Sequence, residues 1–305
     1  MPELPDIVVY AEALAARIVG APLTGIRLFS PFLLRTAVPP VESTFGKRVT
    51  GTSRLGKRIV LGLEDEFFLV LHLMVAGRLR WLPRAAKPPG RITQAIFDFP
   101  DGQLAFTEAG TNRRAALHVI RGREALAALD PGGLDVMTAG PEAFAVRLTA
   151  ENHTLKRVLT DPRSYSGIGN AYSDEILHRA RLSPIAHTQK LAPEEIARLH
   201  AATVAVLGEL TARLRAEAGS GFPEGVTAFR EDFAVHGKFR KPCPACGAPV
   251  QRIVYAENET NYCARCQTGG KLLADRSLSR LLHKDWPKTL DELEMLRPVK
   301  KAPAS

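Results

Sequence analysis

The chain opens with Met1-Pro2-Glu3-Leu4-Pro5-Asp6, which places a proline beside a carboxylate at the end of the chain that can become a free amine. Removal of Met1 would leave Pro2 as a secondary amine with a pKa near the ~7.7–8.0 of an α-amino group, partly unprotonated at neutral pH. Such an amine can attack an electrophilic carbon and form an iminium, with Glu3 as general acid or base. Taken alone, the same residues also fit an ordinary helix start, with Pro5 in the first turn and Glu3 facing the helix dipole.

The residues that follow predict a helix that fixes this terminus. Pro5 to Val19 carries apolar residues at helical spacing and stops before Gly20. From Leu23 to about Ile120 the pattern changes to short apolar runs separated by turn signals such as Pro100-Asp101-Gly102, which is typical of β-strands. The sequence therefore predicts an N-terminal β-sandwich with flanking helices.

A helical region follows the strands. Leu129 to Gly133 interrupts the chain, and residues 142 to 217 are helical in pattern except for a loop over Asp161 to Gly169. Ser166-Gly167-Ile168-Gly169-Asn170 ends that loop as a two-glycine turn that opens the next helix. Because the N–H groups of such a turn and the helix dipole favour an anion, we expect the turn to hold a phosphate.

All four cysteines lie within 24 residues and form two C-x2-C pairs, Cys243 with Cys246 and Cys263 with Cys266. This spacing across a short hairpin is typical of a tetrahedral Zn(Cys)4 site. We expect one zinc ion with a structural role, because four thiolates leave no open coordination position. Val250 to Tyr255 and Thr260 to Tyr262 predict the β-hairpin between the pairs, with Asn258 near its tip.

The charge of the chain favours a polyanionic partner. It has 41 Lys and Arg against 32 Asp and Glu, a formal net charge of +9. The basic residues gather in short clusters, namely Lys57-Arg58, Arg78 to Arg91, Arg113-Arg114 and Lys238 to Lys241. Clusters of this kind on a globular chain indicate nucleic acid. No window approaches the ~20 apolar residues of a membrane span, and no signal peptide is evident, so we expect a cytoplasmic protein without a membrane partner.

Three of these motifs, in this order, resemble the hallmarks of the formamidopyrimidine-DNA glycosylase/endonuclease VIII family: the N-terminal hexapeptide, the two-glycine turn and the four-cysteine ribbon. The resemblance runs from about residue 1 to residue 267 and implies a multi-domain α+β fold. We expect four parts: a catalytic β-sandwich domain over 1–130, a helix-two-turns-helix domain over 131–235, a zinc-ribbon finger over 236–267 and a C-terminal extension over 268–305. Within the extension, helices are expected around 274–282 and 290–296.

The resemblance implies a base-excision-repair glycosylase and abasic-site lyase that acts on damaged DNA as a monomer, in a bacterial-type cytoplasm where DNA binding places it at the nucleoid. Pro2 would attack C1′ of the deoxyribose and Glu3 would protonate the sugar. Lys57 matches the family's catalytic lysine, which bridges phosphate and sugar oxygen. β- and δ-Elimination would then cut the strand. Asn170 matches a residue that holds the DNA backbone beside the lesion.

Near the lesion, the sequence departs from the family pattern. Asp6 stands where glutamate is usual, which shortens a carboxylate by one methylene. The family's HLGMSG segment reads His72 to Gly77, so Met74 is one place early and Val75 occupies the position of the wedge that fills the gap left by a flipped base.

Three further recognition elements are also altered. The loop that probes the opposite base corresponds to Thr111 to Ala115, which supplies Arg113 and Arg114 but has Ala115 where an aromatic ring is expected. Phe222 to Phe233 is shorter than the family's lesion-capping loop, and Asn258 replaces the finger arginine. These changes predict a preference that has moved away from 8-oxoguanine.

Two other interpretations explain part of the chain. A DNA-structure-binding protein could keep the scaffold with little turnover, but it would not need Pro2, Glu3 and Lys57 together. A zinc-ribbon module of a transcription or RNA-processing factor explains the cysteines and leaves the N-terminus unexplained.

Overall fold

The computed structural model describes residues 1–224, 230–255, 258–273 and 287–295. The chain divides into two compact units. The first comprises Met1–Ala139, Asp161–Gly169 and Leu207–Ala228, and the second comprises Gly140–Thr160, Asn170–Val206 and Phe229–Ser305. Among the described residues, no helix has both the length and the apolar character needed to cross a bilayer.

The first unit begins with helix α1 (Leu4–Ile18), within one residue of the predicted start and end. Its strands are β1 (Gly25–Leu28), β2 (Val49–Leu55), β3 (Arg58–Leu63), β4 (Phe67–His72), β5 (Gly77–Leu82), β6 (Thr93–Phe99), β7 (Gly102–Glu108) and β8 (Ala116–Arg121). They form two four-stranded antiparallel sheets, in the orders β1-β6-β7-β5 and β2-β3-β4-β8. A short helix, α2 (Arg123–Ala127), follows the last strand.

A single apolar core joins α1 to both sheets. Ile7 and Leu14 of α1, Leu61 and Leu69 of one sheet and Phe97 of the other are fully buried in it. Burying each such side chain contributes about 1.5–3 kcal/mol, so packing strongly favours one position of α1. The core therefore holds the N-terminal end of α1 in one place.

The second unit is helical before it reaches the cysteines. Its helices are α3 (Pro141–Thr149), α4 (Leu155–Thr160), α5 (Asn170–Ala180) and α6 (Pro193–Ala218), the last of which ends within the first unit. α5 starts at the residue after the second glycine of the predicted turn, as expected. Strands β9 (Gln251–Tyr255) and β10 (Asn258–Tyr262) pair antiparallel, and α7 (Ala264–Thr268) follows them. The predicted α+β fold, with its β-sandwich, helical region and ribbon hairpin, is confirmed.

The described part of the C-terminal extension returns to the ribbon. The expected helix around 274–282 lies outside the described residues, whereas the one around 290–296 is observed as α8 (Leu290–Met295). Leu272 donates its N–H to the carbonyl of Lys288 at 2.8 Å, and the side chain of Leu290 is only 3% exposed. Leu290 packs in the same apolar cluster as two of the cysteines, so this segment is part of the ribbon's core.

Candidate active site and zinc centre

The N-terminal segment is tied down by backbone hydrogen bonds. Leu4 donates its N–H to the carbonyl of Gly167 at 2.9 Å, and Glu3 donates its N–H to Oδ2 of Asp6 at 2.7 Å. Pro2 is buried, as are Glu3 and Asp6. The role expected of Asp6 therefore changes: this carboxylate is only 1% exposed and caps the first turn of α1. With Glu3 as the N-cap, Asp6 completes a reciprocal capping box at the start of α1.

The Glu3 carboxylate and the Lys57 ammonium converge on one glycine. Oε2 of Glu3 accepts the N–H of Gly169 at 2.6 Å. A Cβ placed on Gly169 would lie 2.5 Å from Cδ of Glu3 and 2.7 Å from Nζ of Lys57. Both charged groups therefore occupy the space that a side chain at this position would take. The sequence predicted Glu3 and Lys57 as partners, and the structure brings them together although 54 positions separate them in the chain.

This contact also changes the expected role of the two-glycine turn. We expected its N–H groups to face a phosphate, but the N–H of Gly169 is already bonded to Glu3. A carboxylate that is 2% exposed needs a donor inside the protein, and the turn supplies one. Gly167 has φ +85°, and a Cβ there would approach Cβ of Leu4 to 2.8 Å, so this glycine lets the N-terminal segment pass close to the turn.

The N-terminal amine lies in the electrostatic field of the same groups. Burial lowers the pKa of the Met1 amine below its ordinary value, and the charges of Arg78 and Lys57 lower it further. The carboxylates of Glu3 and Asp6 act in the opposite direction but do not reverse the shift. An amine at this end of the chain is therefore more readily unprotonated than an exposed one, which is the state that a nucleophile needs.

Sequence patterns assigned no role in the candidate site to Arg78 or Arg54. Arg78 lies on β5 inside a basic run, and its guanidinium donates to the carbonyl of Gly77 at 2.7 Å. Arg54 donates to Oγ of Ser166 at 3.1 Å and forms an ion pair with Asp135, and so braces the two-glycine turn. Arg54 precedes Ser166 by 112 positions, a separation over which local periodicity carries no information.

His72 lies at the end of β4, opposite Arg58 of β3. Burial lowers the pKa of His72 to about 4, with smaller contributions in the same direction from Arg58, Lys57 and His118. At neutral pH this imidazole is therefore uncharged. Sequence analysis assigned His72 no role beyond its place in the 72–77 segment, and that segment alone does not show that the charge of Lys57 acts on this imidazole.

The residues expected to contact DNA near the lesion lie on turns of the first unit. Met74 adopts φ +52°, and Val75, at the expected wedge position, is 66% exposed. Arg113 and Arg114 are exposed. Ala115 differs from expectation: it is only 4% exposed, and its N–H donates to the Glu108 carboxylate at 3.1 Å. Position 115 is thus part of the loop's base and does not replace a probing ring at its tip.

The two predicted asparagines lie in the second unit. Asn170 begins α5, and its Nδ2 donates to the carbonyl of Glu259 at 2.9 Å. Asn258 is the first residue of β10, and its side chain lies outside what the structure describes. The predicted loop over 222–233 is described except for residues 225–229.

The four cysteines meet as the sequence predicted. Their Sγ atoms all lie within 4.8 Å of one another, with 3.4 Å between Cys246 and Cys263 and 4.0 Å between Cys243 and Cys266. A tetrahedral zinc with Zn–S bonds of 2.3 Å places its sulfurs about 3.8 Å apart, so the cluster fits this ion. Burial raises the pKa of Cys263 and of Cys266, so these thiols would stay protonated without a cation. The donor set and its spacing are those of a structural zinc site.

Comparison with known protein families agrees with this geometry. Residues 1–114 match the formamidopyrimidine-DNA glycosylase N-terminal domain, and residues 130–217 match the H2TH domain of the same enzymes. Residues 240–269 match the zinc finger found in FPG and IleRS, so together with the cysteine cluster they identify one structural zinc ion.

Curated relatives extend the match along the chain. A formamidopyrimidine-DNA glycosylase of Roseiflexus sp. is 33% identical over 277 residues, which cover 88% of this chain and 100% of the relative. That of Geobacillus kaustophilus is 32% identical over 280 residues, with the same coverage. An uncharacterized formamidopyrimidine-DNA glycosylase-like protein of Mycobacterium tuberculosis is 42% identical over 155 residues, 51% of this chain and 94% of its own length.

Solved structures show the same similarity. Lactococcus lactis Fpg in complex with DNA containing an abasic site superposes with a TM-score of 0.78 at 26% identity, covering 87% of this chain and 99% of that one. Two relatives above 30% identity match 88% of this chain, the three family domains occur in the same order, and the fold is shared. The chain belongs to the formamidopyrimidine-DNA glycosylase family of DNA-repair enzymes, which are DNA glycosylases with abasic-site lyase activity.

Proposed function

We propose that the protein excises damaged bases and cleaves the resulting abasic site through a Schiff base on Pro2, formed after removal of Met1. The observation that carries this proposal is the convergence of Glu3 and Lys57 over Gly169, at the end of the chain where burial lowers the pKa of the Met1 amine. An amine, a carboxylate and an ammonium are the groups that the reaction needs.

The proposed reaction proceeds in steps, and these groups act in different ones. The damaged nucleotide leaves the base stack, since its C1′ cannot be reached inside the duplex. The nitrogen of Pro2 forms a bond to C1′, the glycosidic bond breaks, and the base departs with a proton. Glu3, held by the N–H of Gly169, protonates the ring oxygen of the sugar so that the ring opens and the iminium forms.

The iminium then makes the protons on C2′ acidic. Loss of one of them expels the 3′ phosphate by β-elimination, and a second elimination expels the 5′ phosphate. Water hydrolyses the remaining iminium and releases the amine of Pro2 with the sugar fragment. No oxidant or reductant is consumed in these steps. The zinc ion takes no part in them, because its four thiolate ligands leave it no open position.

Lys57 and Asn170 are proposed to contact the DNA backbone. The Lys57 ammonium lies beside the Glu3 carboxylate and can bridge a phosphate to the sugar oxygen during ring opening. Asn170 stands at the first residue of α5, where a helix dipole favours an anion. The Lactococcus lactis relative was solved with abasic-site DNA, which supports damaged DNA as the partner.

The proposed domain organisation is the one expected from the sequence. We propose that residues 1–130 carry the catalytic groups, 131–235 the helix-two-turns-helix element, 236–267 the finger, and 268–305 an extension. The finger is held by Cys243, Cys246, Cys263 and Cys266. Met74, Val75, Arg113, Arg114 and Asn258 are proposed as further DNA contacts, and a monomer located with the cell's DNA is sufficient for every step.

Borohydride trapping on oligonucleotides with single defined lesions tests this function. We expect a covalent adduct on an abasic site, and we expect Lys57→Ala to slow its formation. Lys47→Ala is the matched control, since that lysine is bonded to Asp65 at 2.5 Å on another turn of the same unit. Absence of any adduct in protein that has lost Met1, or equal slowing by the two lysine variants, would contradict the proposal.

A further inference from the structure

Helix α5 presents one face to the zinc ribbon through three polar residues. Asn170, Asp174 and His178 are spaced by four positions and therefore share a side of the helix. Nδ2 of Asn170 bonds to the carbonyl of Glu259 at 2.9 Å, and Oδ2 of Asp174 accepts the N–H of Asn261 at 3.1 Å. The third contact, from His178, reaches a metal ligand.

Nε2 of His178 lies 3.2 Å from Sγ of Cys243, well within hydrogen-bonding distance for sulfur. Cys243 is 2% exposed, so water has little access to this sulfur. A zinc-bound cysteine is a thiolate and can only accept, which requires Nε2 of His178 to carry the proton. Four thiolates around one divalent ion leave a net negative charge, and donors to the sulfurs disperse it.

We propose that His178 is an outer-shell residue of the zinc site, donating a hydrogen bond to the Cys243 thiolate and tying the metal to the helix that begins at Asn170. The bond holds the Cys243 sulfur against α5, so this ligand can leave a bound ion only if the hydrogen bond breaks as well. The bond should therefore slow the loss of zinc.

The middle of this helix face is held by several hydrogen bonds. The link between α5 and the zinc ribbon therefore resists displacement. Asp174 is fully buried and also accepts from Nζ of Lys156 at 2.5 Å and from Nδ1 of His236 at 2.8 Å. A buried carboxylate with three donors resists displacement, since each lost bond leaves a charge without compensation. A shift of Cys243 is therefore resisted along α5, up to its first residue.

The test measures zinc directly, in the full-length protein. His178→Phe keeps a ring of similar size and removes the donor, whereas His178→Gln keeps a side-chain N–H. His200→Phe is the matched control, because His200 lies on α6 with its ring against Phe144 at a centroid distance of 5.1 Å. Two readouts are used: the rate of zinc release to excess chelator, and the thiolate charge-transfer band of the cobalt-substituted protein.

We expect His178→Phe to release zinc roughly 10-fold faster or more, the lower end of what outer-shell changes cost. Its charge-transfer band should shift, while His178→Gln and His200→Phe stay close to the wild type. Release at the wild-type rate from His178→Phe, or equal release from the Phe and Gln variants, would overturn the assignment. If His178→Phe does not fold, His178→Leu serves as the variant without a donor. Neither readout involves DNA, so failure here would leave the proposed function untouched.

Discussion

Substitution of Gly169 by alanine should remove catalysis while leaving the fold intact. Gly169 has no positive φ that would make alanine strained. The new Cβ would lie 2.5 Å from Cδ of Glu3 and 2.7 Å from Nζ of Lys57. Both atoms are near the ends of flexible side chains, so they can move aside without displacing the backbone.

The size of the effect follows from these distances. An ordinary contact of 3.4 Å requires the Glu3 carboxyl carbon to retreat by about 0.9 Å and the Lys57 nitrogen by about 0.7 Å. Misplacing a catalytic group by ~1 Å costs about 10²-fold in rate, which corresponds to about 2.7 kcal/mol of transition-state stabilisation. Two groups are displaced here, so we expect a loss of at least ~10²-fold.

Single-turnover cleavage of a duplex with one abasic site measures this loss, and thermal unfolding monitors the fold. Gly25→Ala is the matched control, since a Cβ there meets nothing within 4 Å. We expect the control to cleave at the wild-type rate, and both variants to unfold near the wild-type temperature. Wild-type cleavage by a folded Gly169→Ala protein would refute the argument that Glu3 and Lys57 act from the positions observed.

Three further outcomes are expected. Trapping on an abasic site should rise with pH as the terminal amine loses its proton. Arg78 is one of the charges that lower the pKa of the Met1 amine, and we expect it to act in the same direction on the Pro2 amine; Arg78→Met should therefore move the rise to higher pH in a rate profile, and an unmoved profile would exclude this role. Asn170→Ala should weaken binding to all lesions alike and leave the log–log salt slope unchanged, because its amide carries no charge that would displace a counterion. Fluorescence anisotropy measures both, and an effect on one lesion alone would contradict a backbone contact. With Val75 as wedge and no ring in the 111–115 loop, on the order of 100 Å² of apolar contact is missing, or roughly 2–3 kcal/mol. Abasic sites and bases in bubbles should therefore react faster than 8-oxoguanine opposite cytosine in duplex. Rapid, cytosine-selective removal of 8-oxoguanine from duplex DNA would contradict this prediction.

Much of the fold could be predicted from local pattern. The periodicity of α1, the strand runs, the hairpin and the cysteine spacing are each encoded within a few tens of residues. Glu3 and Lys57, the proposed catalytic pair, were predicted through the family resemblance, since no periodicity connects them.

The features that the sequence did not predict depend on contacts between segments that are distant in the chain. The bond between Glu3 and Gly169 spans 166 positions, and it gives one N–H of the turn expected to hold a phosphate a second role, as the donor for a buried carboxylate. The motifs that contain Asp6 and Ala115 gave no sign that Asp6 also caps α1 or that Ala115 is buried at the base of its loop. The hydrogen bond from His178 to Cys243 spans 65 positions, and a lone histidine in a helix gives no sign of it in sequence.

The most direct test is to map the covalent bond in a borohydride-trapped complex with abasic-site DNA. Mass spectrometry of the proteolysed adduct should place the reduced sugar on the N-terminal nitrogen of Pro2, in a chain that lacks Met1. Protein in which Met1 is retained by a bulky second residue should give no such adduct. A sugar found on Lys57 or any other lysine, or an adduct formed equally well with Met1 in place, would contradict the mechanism.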